Sequence, residues 1–135
     1  MSSTPTTRSD SIVSAARTTL GDSLRSVITF TPSVYEVVYV RRDLADDPTG
    51  RQMRSEFVDI ERFGFASQGQ FNRLSEEYGT EPEIGAYVAT IRTFTNGFVA
   101  RVIVGDRGVI VTTDELDIAS FEDLAATLRT VLAGE

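Results

Sequence analysis

Two tight turns divide residues 86–113 into three short apolar segments, and this pattern constrains the fold more than any other part of the sequence. The first turn, Asn96-Gly97, lies between alternating apolar runs. Such a pair favours a type I′ turn because both central residues need a positive φ. The second reversal is the Gly-Asp-Arg-Gly segment at 105–108. The sequence therefore predicts a meander of three antiparallel strands.

The remaining segments carry helical or strand periodicity that would let them cover or extend this meander. They predict, in chain order, a helix at 10–20 capped by Ser9 or Asp10, strands at 24–31 and 34–40, and helices at 52–62 and 121–132, the last capped by Ser120. The second strand is apolar on both sides, which predicts cover on both of its faces. Gly64 is expected to end the middle helix, and residues 66–78 fit either a further helix or an ordered loop.

The predicted fold is α+β, with a five-stranded antiparallel sheet and elements in the order α-β-β-α-β-β-β-α. Residues 1–8 are Ser/Thr-rich and predict a disordered lead-in, and residues 9–133 predict one domain. No apolar run reaches the roughly 20 residues that a membrane span needs, and the lead-in lacks the apolar core of a secretory signal. We therefore expect a cytoplasmic protein.

Composition removes several classes of chemistry. The chain has no cysteine, histidine or lysine; its 13 basic residues are all arginine, against 20 acidic residues and a net charge of −7. Thiolate chemistry, Cys- or His-based zinc sites and a histidine general base are excluded. The negative charge disfavours nucleic acid and anionic membranes. Such a composition fits either a cytoplasm of molar salt or a GC-rich genome that favours arginine codons.

No sequence motif predicts catalysis or a cofactor. Phosphate-binding loops, dinucleotide fingerprints, zinc-protease and nucleophile-elbow motifs are all missing. Asp43, Asp46 and Asp47 could hold a cation through oxygen ligands, but the pattern strongly favours a solvated acidic loop. A basic group, Arg41, Arg42, Arg51 and Arg54, is small beside 20 carboxylates. We expect no enzyme, no cofactor, no metal and no nucleic acid.

Two-residue turns would fix the pairing of the three meander strands. They place Arg92 opposite Arg101, Ile91 opposite Val102, and Val104 opposite Val109. One face of the meander then carries only small or β-branched residues, which predicts a core face. The other face carries the two arginines among apolar side chains.

Like charges at directly opposed positions are unfavourable, so something should neutralise Arg92 and Arg101. Three alternatives remain open. A carboxylate of the middle helix (Glu56, Asp59 or Glu61) could pack over the face, an acidic partner or anionic ligand could bind there, or the register could differ.

The order of elements resembles the roadblock/LC7 fold, which is related to profilin-like and, more loosely, PAS- and GAF-like sensor domains. The amino-acid sequences of three segments are also similar to those of short acidic proteins of halophilic archaea: GDSLRSV at 21–27, RVIVGD at 101–106 and VTT at 111–113. The second similarity supports the molar-salt interpretation and implies no activity.

The roadblock resemblance implies a non-catalytic homodimer that docks on a small GTPase or a motor component. Its subunit interface would use the middle helix, through Met53, Phe57 and Ile60, and an exposed strand edge. The long segment 66–85 departs from the compact pattern and could instead cover a pocket, as in a sensor with an anionic ligand near the two arginines. The candidate partner or ligand surface comprises Arg92, Phe94, Arg101, Phe57, Ile60 and Phe63.

Overall fold

The computed structural model describes residues 7–79 and 82–134, apart from the side chain of residue 75. Its elements are α1 (Arg8–Leu20), β1 (Leu24–Phe30), β2 (Tyr35–Val40), α2 (Pro48–Glu61), α3 (Phe63–Tyr78), β3 (Thr90–Phe94), β4 (Gly97–Val104), β5 (Arg107–Thr113) and α4 (Ile118–Ala133). The strands form one antiparallel sheet in the order β2-β1-β5-β4-β3. The predicted fold class is confirmed, with the middle helix followed by a second one. Of the predicted lead-in, residues 1–6 lie outside the described residues.

Two helices begin earlier than their patterns predict, because other side chains cap them. Thr7 caps α1 in a reciprocal box: its Oγ1 accepts from the Asp10 backbone N–H (3.0 Å), and the Asp10 carboxylate accepts from the Thr7 N–H (3.3 Å). Asp117 caps α4 by accepting from the Ser120 N–H at 2.9 Å. The predicted caps at Ser9 or Asp10 and at Ser120 were wrong, since an acceptor lay three residues before each predicted first turn.

The middle helix is also longer than predicted, and Gly64 does not end a helix. Asp47 accepts from the Thr49 N–H, and Pro48 at the first position suits a helix start, because that position needs no N–H donor. α2 ends at Glu61, and Gly64 lies inside α3, which settles residues 66–78 as helix. The helical spacing was visible there, but three glycines and polar residues obscured it.

Both predicted hairpin registers were wrong by two residues. The turn of the first hairpin is Thr95-Asn96, so Phe94 pairs with Gly97, and no positive φ occurs at Asn96 or Gly97. Gly97 is instead needed for close approach, since a Cβ there would lie 2.7 Å from the Thr113 carbonyl oxygen. Gly97 therefore predicted the hairpin correctly, but a glycine is needed there for the close approach and not for a positive φ.

The second hairpin turns at Gly105-Asp106, where Gly105 has φ 61°, and Val104 pairs with Arg107. A shift of two residues leaves every side chain on its predicted face, because the period of a strand is two. The predicted core face of the meander is therefore present. β3 is shorter than predicted and begins at Thr90; the preceding Tyr87 packs its ring on Phe71 instead.

The sheet separates two apolar layers. On one face α1 and α4 pack on the sheet, and the buried members of this layer are Ile12, Ala16, Leu24, Val27, Ala100, Val102, Val109, Val111, Phe121, Leu124, Ala125, Leu128 and Leu132. On the other face α2 and α3 cover a smaller layer of Ile28, Phe30, Val58, Val99, Ile103 and Ile110, with Phe57 and Phe65 packed against it. The first layer contains most of the buried apolar area and is expected to supply most of the stability.

β2 is an edge strand and lacks the cover on both faces that its sequence predicted. Val34, Tyr35 and Val37 are exposed, whereas Val38 and Tyr39 pack against the α1–α4 layer. The prediction failed because an apolar edge strand and an apolar central strand have the same local pattern. None of the helices formed by the described residues is long and apolar enough to cross a bilayer.

Candidate functional site: the α2–β3 surface and the Glu61 cluster

Glu61, in the last turn of α2, is the buried acid that holds this helix to the sheet. Its side chain is 2% exposed. Its Oε1 accepts from Arg101 Nη1 at 2.8 Å, and its Oε2 accepts from Arg92 Nε at 2.6 Å. These are the two arginines whose charges needed a counter-ion, and one of the three candidate carboxylates supplies it.

The two arginines are not directly opposite each other. Arg92 pairs with Val99 and Arg101 pairs with Thr90, so the arginines are diagonal neighbours and the predicted opposition was wrong. The Glu61 carboxylate contacts both arginines from α2. It therefore occupies the position beside Arg92 and Arg101 where an anionic ligand was one of the three alternatives. A buried charge that is paired and hydrogen-bonded avoids most of the desolvation penalty of burial.

Arg101 is buried and uses its other terminal nitrogen in the same cluster. Nη2 donates to Thr90 Oγ1 at 2.9 Å and to the Tyr87 hydroxyl at 3.1 Å, and these two hydroxyls also bond to each other. Its guanidinium lies directly beneath Gly64, where a Cβ would overlap it. Gly64, Tyr87 and Thr90 are the residues that sequence reasoning missed. The one available signal was a glycine inside a helical pattern, which often marks a close approach.

Arg92 lies at the outer end of the cluster, on the edge strand β3, and its side chain is partly exposed. The hydrogen bond to Glu61 raises the pKa of its guanidinium, and burial acts in the opposite direction. Two arginines and one glutamate leave one net positive charge at this edge. The cluster therefore fixes α2 on the sheet and presents a cation beside the free edge of β3.

Four apolar side chains are exposed around this edge. Met53, Phe57 and Ile60 recur along one side of α2, and Phe57 packs on Phe94 of β3 with ring centroids 6.1 Å apart. Met53, Ile60 and Phe94 are each about half exposed, and Phe63 at the start of α3 is 79% exposed. Of the predicted candidate residues, Phe57 is half-buried, Ile60, Phe63 and Phe94 are exposed, and only Arg101 is buried. We call Met53, Ile60, Phe63 and Phe94 together with the outer edge of β3 the α2–β3 surface.

The acidic loops form structural contacts. Arg41 pairs with Asp43 at 2.7 Å and with Asp114 at 2.6 Å, and Arg25 also pairs with Asp114 at 2.8 Å. The two guanidinium groups lower the pKa of the Asp114 carboxyl below its ordinary value. Within the described ranges, no group of three acidic residues has an arrangement that could hold a metal ion.

A five-stranded antiparallel sheet in this order, with helices from the two termini on one face and the inserted helices on the other, is the roadblock-type fold. Two solved structures share the fold. Myxococcus xanthus MglB has a TM-score of 0.54 at 10% sequence identity, over 98% of this chain and 95% of that chain. The gliding protein MglB from Thermus thermophilus has a TM-score of 0.57 at 9% identity, over 98% and 94% respectively. At such identities the likeness is one of fold.

By sequence, the chain belongs to the family described as Domain of unknown function (DUF7522), whose family model matches residues 10–133. That match covers β1 to β5, α2 to α4, all of α1 except Arg8 and Ser9, and the whole α2–β3 surface. A comparison with curated protein sequences found no match to this chain.

Proposed function

We propose that this protein is a non-catalytic protein-interaction module that works as a homodimer, joined through the α2–β3 surface. The observation that carries the proposal is the exposure of four large apolar side chains beside the outer edge of β3, with which no other strand of the described residues pairs. Single exposed apolar residues are ordinary, but a group of them next to unpaired backbone groups is typical of an interaction surface.

The geometry supports a two-fold contact. β3 is an edge strand of five residues, and alternate residues of an antiparallel strand direct their N–H and C=O groups away from the neighbouring strand, so a second copy could pair with these groups antiparallel. Phe63 and Ile60 of each protomer would then be covered by the α2 of the other. Removing one such side chain from water contributes about 1.5–3 kcal/mol, so two pairs would offset much of the entropy of association.

The dimer serves as a scaffold or regulator for another protein, and the roadblock resemblance suggests a small GTPase as that partner. We place it in the cytoplasm of a halophilic archaeon, because 20 acidic residues against 13 arginines and no lysine suit molar salt. The two structural neighbours given above are MglB proteins, and one of them is described as a gliding protein. They support the fold and leave the partner to experiment.

The partner is tested by capture from a native lysate in molar KCl. The tagged chain is used as bait, a chain carrying Phe63→Asp and Phe94→Asp is the matched control, and mass spectrometry identifies what is retained. The proposal predicts a stoichiometric nucleotide-binding protein on the wild-type chain. Recovery of no protein, or equal recovery on both baits, would contradict a partner that depends on this surface.

A further inference from the structure

A cavity of about 470 Å³ lies between the first half of α2 and the end of the sheet where β4 begins. Its walls are mainly apolar and include Met53, Phe57, Phe94 and Val99, and its floor is formed by Ser26 and Thr112. The volume is within the range of ordinary small-molecule sites. It is separate from the Glu61 cluster, which sits at the other end of α2.

Arg54 lines this cavity and is the unusual group in it. The inner side of α2 buries Arg54, Val58 and Glu61, which are spaced at i, i+4 and i+7. Val58 packs in the core and Glu61 binds two arginines, but within 7–79 and 82–134 we find no ion pair or hydrogen bond to the Arg54 side chain. The residue is only 8% exposed, and its Nε is fully enclosed without a partner among the described residues.

No charged group of the described residues forms an ion pair with Arg54, although Asp47 and Arg25 line the same cavity. Asp47 lies close to Arg54. A Cβ atom at Gly50 would lie 3.0 Å from Asp47 Oδ2 and 3.3 Å from Arg54 Nη1, yet Asp47 and Arg54 do not form an ion pair. The other oxygen of Asp47 accepts from the Thr49 N–H at the start of α2. Arg25, also at the cavity, is paired with Asp114. Burying a charge without a counter-ion is unfavourable, so the arrangement favours an anion from outside.

The floor supplies a second polar contact. Ser26 and Thr112 are buried, and their hydroxyls form a hydrogen bond with each other. One hydroxyl donates to the other, so the accepting hydroxyl keeps its own proton free to donate to a ligand. The cavity thus combines the Arg54 guanidinium, one hydroxyl donor and mainly apolar walls, and its lining also includes Arg25 and Asp47.

We propose that this cavity binds an amphipathic monocarboxylate, with its carboxylate on Arg54 and the Ser26–Thr112 hydroxyls and its apolar body against Met53, Phe57 and Phe94. A guanidinium matches the two oxygens of a carboxylate, and one arginine compensates one charge. A polyanion is disfavoured by the net charge of −7. The cavity is formed within one chain, so binding does not require the proposed dimer, although Met53 and Phe94 also belong to the α2–β3 surface.

The test is titration calorimetry of the full chain with octanoate and with octanamide, its uncharged analogue. The wild-type chain is expected to bind octanoate at least tenfold more tightly than octanamide. Arg54→Met, which keeps the length and removes the charge, should weaken octanoate binding at least tenfold. Arg51→Met, on the exposed side of the same helix, is the matched control and should leave it unchanged.

Two further measurements distinguish a ligand-binding role of Arg54 from a purely structural one: the melting temperature of Arg54→Met and octanoate binding by a second variant. Without ligand, Arg54→Met should melt at or above the wild-type temperature, because it removes an uncompensated buried charge. Thr112→Val should weaken octanoate binding several-fold while leaving the arginine in place. Absence of octanoate binding by the wild-type chain, equal affinity for octanamide, or a lower melting temperature of Arg54→Met with unchanged octanoate binding would each overturn the proposal.

Discussion

Glu61 connects three elements through two hydrogen-bonded ion pairs, and its neighbours leave little room for any other arrangement. Its carboxylate is enclosed between α2 and the sheet, Arg101 is buried beneath it, and the α3 backbone at Gly64 covers that guanidinium. An ion pair so enclosed contributes little net stability relative to an apolar pair. Breaking one side of it is costly, because the other charge stays buried.

The first prediction concerns the charge of Glu61. Glu61→Gln should lower the free energy of unfolding by about 3 kcal/mol, since Arg101 would lose its counter-ion and stay buried. Asp59→Asn, which breaks only the exposed 3.4 Å pair with Arg62, is the control and should cost less than about 0.5 kcal/mol. Urea unfolding at neutral pH measures both. Equal effects of the two substitutions would contradict a central role for Glu61.

The second prediction compares two glycines of α3. Gly64→Ala should destabilise the protein by about 1–3 kcal/mol, because the new methyl group would overlap the Arg101 guanidinium. At Gly69 a Cβ meets nothing within 4 Å, so Gly69→Ala should stabilise it by roughly 0.5–1 kcal/mol through helix propensity. Thermal unfolding of both variants is the measurement, and a gain in stability for Gly64→Ala would refute the close approach.

At the scale of the elements, the sequence predicts which segments fold and which faces they bury better than it predicts their exact pairing. The alternation of residues in β4 and β5 fixes the faces, and a slip of two residues leaves those faces unchanged. The register depends on which residues occupy the turns, and here Gly97 is placed by the approach of the Thr113 carbonyl instead of by φ. Such contacts between distant segments have no local signature.

The candidate site was predictable to a similar degree. The need to neutralise Arg92 and Arg101 followed from their shared face, and Glu61 was among three candidate carboxylates. Choosing between Glu61 and its neighbours depends on the rotation of α2 about its axis, which tertiary packing decides. Arg54, which has no partner among the residues that the structure describes, could not be distinguished from the exposed Arg51 for the same reason.

The third prediction concerns Asp114, which holds together the ends of β1, β2 and β5. Arg25 and Arg41 lower the pKa of its carboxyl below the ordinary value of 3.8, so the unfolded chain binds this proton more readily than the folded one. The resulting stability is present above the unfolded pKa and is lost as the pH falls through the folded pKa.

Asp114→Asn should therefore cost about 1 kcal/mol at pH 7, a modest value because a third of the side chain is exposed. The difference from the wild-type chain should shrink as the pH falls below the unfolded pKa and close once the pH lies below the folded pKa, where both forms are uncharged at this position. Asp46→Asn, in an exposed loop, is the control. Urea unfolding across this pH range measures it, and a difference that stays constant down to low pH would contradict the assignment.

At the scale of the whole molecule, the two apolar layers are unequal. α1 and α4 bury a large layer on one face, whereas α2 and α3 cover a smaller one and leave Ile60 and Phe63 outside. The smaller layer, covered by α2 and α3, is therefore the side on which another molecule can bury further apolar surface. It lies beside the outer edge of β3.

The fourth prediction concerns salt. At low ionic strength the net charge of −7 repels itself over tens of ångströms, whereas at 1 M salt the screening length falls to about 3 Å. If the chain is adapted to molar salt, its helical circular dichroism should increase as KCl is raised from about 0.05 to 3 M. A fully folded spectrum that does not change over this range would contradict the proposed halophilic origin.

The molar mass in solution tests the central claim most directly. Light scattering or sedimentation in about 2 M KCl should give about 30 kDa for the wild-type chain, twice the 14.8 kDa of one copy. Phe63→Asp should reduce the mass to that of one chain, whereas Ile118→Asp, exposed on α4 at the opposite face, should leave it unchanged. A wild-type mass of one chain at every concentration, or a dimer that Phe63→Asp does not disrupt, would contradict dimerisation through the α2–β3 surface.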